Sequence, residues 1–427
     1  MSPSPPSGVR SGDRRLWALL LALALVAAPA AALRATCVGG SCHGSAPVSL
    51  RVPICEVPRA TRQLLAAGYS DLTSPDVVAL SPSGPSRSGR EATVPLAFWG
   101  NGVPHGELNQ GAGLADVTPT LERIIGITAG PFPSATRTGR PLAGARGSDP
   151  PNLVLEVVWR GVGSDDLGRT PPFLRHALDV GLGTLHASAG SLPVDPVAVL
   201  TTLGTGSPPS EHSVTGAVLR SPYTDELVRG WDPRSTPSAL PTLADDVLRY
   251  GRSGSTAILV TPDAHDGGVV GGDFYVGSAR PRILVRPGSA ASQVDAALGE
   301  LDGGLGRGPG TDVLVVVLHG SVRSLDAATR SLARAAEDAS GGSMTGLVTA
   351  TGSKEARTEP SAAVVRGRLA SALGHPAIAA STAGGFFLRP GVSSQQVAEA
   401  LVRLRVGGRQ PFTDAFPTYA LSLAGFC

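Results

Sequence analysis

The sequence has almost no net charge and a single lysine, Lys354. Its 36 Lys and Arg residues against 34 Asp and Glu residues give a formal charge of +2. A balance this close to zero creates no bulk field that would attract a nucleic acid or an acidic surface. The chain therefore has no nucleic-acid signature, and its charge leaves the partner unidentified.

Long apolar runs are absent beyond the first 36 residues, so nothing later in the chain is expected to span a bilayer. Within those residues, Arg10, Arg14 and Arg15 precede the run "LWALLLALALVAAPAAAL", and small residues suited to signal-peptidase cleavage lie at 30–32. This pattern predicts an export signal over residues 1–36. An uncleaved run would instead be an N-terminal membrane anchor. In both cases we expect an extracytoplasmic body, secreted or anchored to the cytoplasmic membrane.

Cysteine occurs only four times, at Cys37, Cys42, Cys55 and Cys427. In an exported chain, an even number permits two disulfides in three possible connectivities. The alternative is a zinc site, but no histidine pairs with "CVGGSC" at the spacing of a zinc finger. Disulfides are therefore the favoured interpretation.

The C-terminal three-quarters of the chain alternates short apolar runs with helical patterns. This alternation is typical of an α/β sheet that is buried on both faces. The segments Pro241–Gly251 and Ser324–Ala339 have the spacing and end signals of helices between strands. We therefore predict a parallel, doubly wound sheet with ligands at the carboxyl ends of its strands. The predicted strands are Asn152–Trp159, Ser255–Thr261, Asp312–Leu318 and Thr345–Thr351.

Stretches rich in Pro, Gly, Ser and Arg at 81–91, 130–151 and 352–361 indicate surface loops or linkers. After the last of them, "PAIAASTAGGFFLRPGVSSQQVAEALVRLR" predicts a strand, a glycine turn, a second strand and a helix. Such a unit would form a small α+β cap. The predicted segments of the mature chain are 37–141, the core at 150–354 and the cap at 355–427.

Three segments of the core carry a family resemblance. "VVWRGVG" resembles a first-strand motif that ends in a metal-binding Asp followed by glycine. "TTLGTGSPPSEHSVTG" resembles the helix after a nucleophile with its following turn, and "PTLADDVLRYG" resembles the next helix. Together they resemble the alkaline phosphatase superfamily, in its type I phosphodiesterase/nucleotide pyrophosphatase branch. The resemblance implies a three-layer, mostly parallel α/β sheet and a hydrolase of phosphoric esters that uses two metal ions.

The order of the segments differs from that of the family. "VPLAFWGNGV" and "LADVTPTLERIIGI", within residues 94–127, resemble the strand and helix that close these enzymes near the C-terminus. Here they precede the first-strand motif, which predicts a circular permutation that keeps the fold, because chain termini often lie close together. A permuted chain would bring its ends together. It would pair Cys55 with Cys427 and leave Cys37 and Cys42 to form a second disulfide that closes a small local loop.

The residues that should perform the chemistry are replaced at two positions of the motifs. A two-metal phosphodiesterase needs Asp and His side chains from several strand ends and a Ser or Thr hydroxyl that a metal ionises. Arg160 occupies the metal-binding Asp position, and a gapless count puts Pro196 at the nucleophile position. Asp195 and Pro196 also form a good helix start, with Asp195 as the N-cap. A shifted alignment would give Ser188, Ser191 or Asp195 as the nucleophile.

Most of the family's remaining ligand positions are also changed. The strand "DVLVVVL" is followed by His319 without an Asp, and "TGLVTAT" is followed by Gly-Ser-Lys. In contrast, "TPDAHDGG" places Asp263, His265 and Asp266 after a strand, where such side chains suit a metal. A solvated polar turn explains the same residues and is the favoured interpretation. No cofactor is predicted for an inactive chain, whereas an active one would need zinc or another divalent metal.

These observations favour an exported pseudoenzyme that acts in ligand binding or in cell-envelope structure. Its partner would be a phosphate-containing or envelope ligand. One alternative is an active metal-dependent phosphodiesterase or phosphatase with a rearranged site. A second alternative is a membrane-tethered scaffold. The candidate ligands of a rearranged site are Asp263, His265, Asp266 and His319.

Overall fold

The computed structural model describes residues 53–81, 92–108, 111–127, 137–147, 149–231, 239–272, 274–353 and 361–427. The chain divides into the units Met1–Arg51 and Val52–Cys427, and the first unit lies outside the described residues. The predicted export signal, Cys37 and Cys42 therefore lie outside them too. In the ranges given above, no helix combines the length and apolarity needed to cross a membrane.

Strands and helices alternate along most of the described chain. The helices are α1 (Arg59–Ala67), α2 (Val117–Ile125), α3 (Pro172–Val180), α4 (Pro196–Thr205), α5 (Pro209–His212), α6 (Leu243–Tyr250), α7 (Ala290–Asp302), α8 (Val322–Ala339), α9 (Ala362–Leu373) and α10 (Ser394–Arg403). The strands are β1 (Val77–Leu80), β2 (Thr93–Gly100), β3 (Gly106–Glu107), β4 (Leu153–Trp159), β5 (Leu182–Ser188), β6 (Val218–Arg220), β7 (Leu227–Arg229), β8 (Ala257–Thr261), β9 (Arg282–Val285), β10 (Asp312–Leu318), β11 (Met344–Ala350), β12 (Ile378–Ser381), β13 (Gly385–Leu388) and β14 (Asp414–Pro417).

An eight-stranded sheet forms the centre of the fold, in the order β3-β5-β2-β11-β4-β10-β8-β9. Within this sheet, β2 runs antiparallel to both of its neighbours and the other pairs are parallel. Every residue of β4, β8, β10 and β11 is buried, so both faces at the centre of the sheet are covered. The α/β class and the mostly parallel sheet predicted from the apolar runs are confirmed.

Local sequence signals set the ends of the helices near the site. Asp195 caps α4 by accepting a hydrogen bond from the amide of Val197 at 2.9 Å, and Pro196 is the first helical residue, as predicted. The helix ends at Gly206, which adopts a left-handed conformation with φ of 71°. Thr242 caps α6 in the same manner as Asp195 caps α4. These signals set where α4 begins and ends and where α6 begins.

The N-terminal segment contributes directly to the central sheet, because β2 lies between β5 and β11. The hydroxyl of Thr118 in α2 donates to the carbonyl of Leu203 in α4 at 2.8 Å. The buried guanidinium of Arg137 forms ion pairs with Glu122 of α2 and Asp246 of α6. These contacts join α2 to the core helices. The circular permutation and the segment boundaries stay predictions.

A smaller antiparallel sheet has the order β12-β13-β1-β14 and packs with α10 around its own apolar cluster. The strand, turn, strand and helix pattern predicted for the cap is confirmed by β12, β13 and α10. Strand β1 comes from the N-terminal segment, so strand pairing crosses the predicted boundary at residue 355. The disulfide between Cys55 and Cys427 has a Cα–Cα distance of 5.3 Å, and the predicted pairing of these two cysteines is confirmed.

Candidate functional site

Arg160 connects two strand ends at the carboxyl edge of the central sheet. It follows β4, and its Nε donates to Asp266 Oδ1 at 3.1 Å, while Nη2 lies 3.7 Å from Asp263 Oδ2. Both carboxylates follow β8, and β10 lies between β8 and β4. The backbone amide of Arg160 donates to the carbonyl of Leu318, the last residue of β10. The guanidinium therefore bridges the ends of β4 and β8 across the end of β10.

Asp266 is the most buried member of this ion-pair cluster, which we define as Arg160, Asp263 and Asp266. Its side chain is 0% exposed, whereas that of Arg160 is 22% exposed. The hydroxyl of Thr261 donates to the second oxygen of Asp266 at 2.6 Å. Burial raises the pKa of Asp266, and the positive charge of Arg160 and the Thr261 hydroxyl act in the opposite direction. Both oxygens of this buried carboxylate are thus satisfied by protein groups.

A metal ion does not fit this arrangement. Arginine stays protonated in proteins, and its positive charge already lies between the two carboxylates that a cation would need. Across the described ranges, no three His, Cys, Asp or Glu side chains are grouped so that they could hold a metal ion. The cation that Asp263 and Asp266 share is accordingly the guanidinium of Arg160.

The two candidate histidines differ in their contacts. His265 Nε2 lies 3.3 Å from Arg229 Nη1, and its Nδ1 lies 3.3 Å from the carbonyl of Trp231. Its backbone amide donates to Asp263 Oδ1 at 3.0 Å, which makes Asp263 the N-cap of the 3-10 helix Ala264–Val269. These are the local bonds expected of a polar turn. His319 follows β10 at the same edge of the sheet and is partly buried.

The two glycines of "TPDAHDGG" have a packing role that the sequence did not reveal. A Cβ atom on Gly267 would lie 2.3 Å from Trp231 Nε1, and one on Gly268 would lie 2.2 Å from Thr201 Oγ1. Only glycine allows the 3-10 helix to approach α4 and Trp231 this closely. The loop that carries Asp263 and Asp266 is therefore held against α4.

Two of the three candidate nucleophiles are buried, whereas Ser188 is partly buried and accepts a hydrogen bond from the amide of Gly190. Ser191 is 1% exposed, and its hydroxyl has no hydrogen-bond partner in the part of the chain that the structure describes. Asp195 is 4% exposed and caps α4. Burial raises the pKa of Asp195, and hydrogen bonds from backbone amides, together with the charge of Arg160, oppose that rise. A hydroxyl nucleophile is activated by an adjacent base or by a metal ion, and the described residues place no base within hydrogen-bond reach of Ser191.

A groove between α3 and α8 is a further candidate site that sequence reasoning missed. Its first part is a cavity of about 770 Å³ at the N-terminal ends of the two helices. Its second part is a cavity of about 530 Å³, and Pro172 and Arg330 line both parts. The sequence signal for this groove was the spacing of three arginines along α8. Intervals of seven and four residues place Arg323, Arg330 and Arg334 along one side of a helix.

The chain was compared with models of protein families, with curated proteins and with solved structures. None of the three comparisons found a match. The arrangement of the chain's own residues is therefore the basis for inferring its function.

Proposed function

We propose that this chain is an exported relative of the alkaline phosphatase superfamily, similar to its type I phosphodiesterases, that lacks two-metal catalysis. It acts by binding a ligand or in the structure of the cell envelope. The observation that supports this proposal is the position of Arg160, whose guanidinium contacts Asp263 and Asp266 at the ends of two sheet strands.

The positive charge of Arg160 opposes the binding of a metal ion. Two-metal catalysis requires ions that stabilise both the attacking and the leaving oxygen of the phosphoryl group. A guanidinium has five N–H donors and no acceptor. It therefore cannot take the proton from a water molecule or a hydroxyl at neutral pH. A dication that entered the ion-pair cluster would meet the fixed charge of Arg160 and would have to displace its bonds to Asp266. The cluster thus favours its present arrangement over a metal-bound one.

Metal analysis and a hydrolysis assay on the purified exported form test this proposal together. We expect substoichiometric zinc, manganese and magnesium by mass spectrometry. We also expect no hydrolysis of bis-aryl phosphates or nucleotide diesters above the rate in buffer when these ions are added. The Asp263→Ala, His265→Ala and Ser191→Ala variants serve as matched samples. Two tightly held metal ions, with turnover that is lost in any of these variants, would establish a rearranged hydrolase and overturn the proposal.

A further inference from the structure

The groove between α3 and α8 carries a concentration of positive charge at one end. Four arginines and one acidic residue line its first cavity, which lies at the carboxyl edge of the central sheet, where α/β proteins commonly bind ligands. The acidic residue, Asp326, is 3% exposed and accepts hydrogen bonds from the amides of Phe173 and Leu174 at the start of α3. Asp326 therefore stabilises the helix end and leaves most of the arginine charge uncompensated. The arginines are Arg169, Arg175, Arg323 and Arg330.

Two of these four arginines contact protein groups, and the other two have their N–H donors available. Arg330 lies 3.5 Å from Asp326, and Arg175 donates to the carbonyl of Thr170 at 3.1 Å. Arg169 and Arg323 form no hydrogen bond or ion pair with any residue that the structure describes. A guanidinium offers a planar fork of N–H donors that matches the oxygens of a phosphate group. The first cavity thus presents two free guanidinium groups to an anion.

The other end of the groove is distinguished by aromatic rings. The rings of Trp99 and Phe173 meet edge to face, with their centroids 5.4 Å apart, and both line the second cavity with Met344. Val180, which lines the same cavity, is 51% exposed. A large exposed apolar side chain beside aromatic rings favours an apolar occupant at this end. Two arginines, Arg330 and Arg334, and one acidic residue, Glu337, also line this end, so its positive charge is smaller than that of the first cavity.

We propose that the groove binds a phosphate or diphosphate group attached to an apolar body. The phosphoryl oxygens contact Arg169 and Arg323, and the apolar body lies against Trp99 and Phe173. This inference rests on the proposed binding function and gives it a ligand class. The two ends of the groove set the orientation of the ligand, because the larger positive charge favours the phosphoryl group at one end and the aromatic rings favour the apolar body at the other.

Calorimetric titration of the full exported chain with farnesyl diphosphate, below the concentration at which it forms micelles, tests this assignment. Inorganic pyrophosphate and farnesol are the probes for the two halves of the ligand. We expect farnesyl diphosphate to bind more tightly than either half, with an affinity that falls as salt rises because the contacts at the arginines are ionic. Failure of farnesyl diphosphate to bind, or binding no tighter than that of pyrophosphate, would overturn the proposal.

Paired variants locate the binding. The double variant Arg169→Gln with Arg323→Gln should weaken binding of farnesyl diphosphate by about tenfold or more, because it removes two charge-assisted contacts. The control double variant, Arg366→Gln with Arg368→Gln, removes the same charge from exposed positions on α9. Equal losses in the two double variants would show attraction by net charge alone and would overturn the assignment to the groove.

A second pair of variants examines the apolar end. Val180→Glu should weaken binding of farnesyl diphosphate and leave that of pyrophosphate unchanged, whereas Val364→Glu, at a position 41% exposed on α9, should change neither. Equal weakening in both variants would place the apolar body elsewhere and refute the assignment of this end. Mass spectrometry of the ligand after titration separates the two proposals. Intact ligand that binds supports both, whereas hydrolysed ligand contradicts catalytic silence alone and unbound ligand contradicts the groove alone.

Discussion

Glu156 lies in the middle of β4, at the centre of the sheet, and is 3% exposed. Its neighbours across the sheet are Val315 of β10 and Leu347 of β11, both buried and apolar. Burial raises the pKa of Glu156 from 4.5 to about 8, since no positive charge offsets the loss of water around the carboxylate. At neutral pH the folded chain therefore retains this proton, whereas the unfolded chain has released it.

This difference makes folding stability depend on pH in a defined direction. Between pH 4.5 and 8 the folded state binds more protons at Glu156 than the unfolded state, so its contribution to stability decreases as pH rises. Each pH unit in this window costs about 1.4 kcal/mol. From pH 4.5 to pH 7 the loss amounts to about 3 kcal/mol. Below pH 4.5 both states are protonated and the contribution is fully present.

The Glu156→Gln substitution removes the titrating group with little change in volume. We expect the variant and the parent chain to have similar free energies of unfolding near pH 4.5, and the variant to be more stable by about 3 kcal/mol at pH 7. Urea unfolding followed by tryptophan fluorescence at several pH values measures this difference. Every other group titrates in both proteins, so its contribution cancels when the two are compared. Glu337→Gln, an exposed change on α8, is the control and should show no such trend. A difference between parent and Glu156→Gln that stays constant from pH 5 to pH 8 would refute the reasoning.

Two further predictions concern the ion-pair cluster and the disulfide. Arg160→Asp replaces the central cation of the cluster with a third carboxylate beside Asp263 and Asp266. Calorimetry should therefore detect a higher affinity for divalent cations in Arg160→Asp than in Arg160→Gln. Equal affinity in the two variants would contradict the electrostatic role of Arg160. Cys427→Ser opens a crosslink between residues 372 positions apart and should lower the free energy of unfolding by about 4 kcal/mol. The double variant with Cys55→Ser should lose no more than the single one, and additive losses would argue against the pairing.

The buried strands of the central sheet could be predicted from sequence because most residues in each are apolar. The ends of β4, β8, β10 and β11 fall within two residues of the predicted ends. Strand β1 could not be predicted, because it has four residues and its hydrogen-bond partners β13 and β14 lie more than 300 residues further along the chain. A local pattern cannot specify a pairing over such a distance.

The candidate site was predictable in its location but not in its contacts. Sequence placed Arg160 and Asp266 at strand ends, and parallel strands bring those ends to one edge of the sheet. The contact between them joins residues 106 positions apart and depends on the rotamer of a long side chain. The groove arginines were missed because they lie on α3, on α8 and in the loop that precedes α3, and none of these segments alone forms a cavity.

The small sheet joins the two ends of the described chain, because β1 lies between β13 and β14. This pairing raises the contact order of the fold, because residues 77–80 form backbone hydrogen bonds with residues 414–417, far along the chain. A growing chain that has not yet reached β14 leaves one edge of β1 without its partner strand. The small sheet therefore forms only after residues 414–417 have been synthesised, and β1 and β14 reach their native arrangement together.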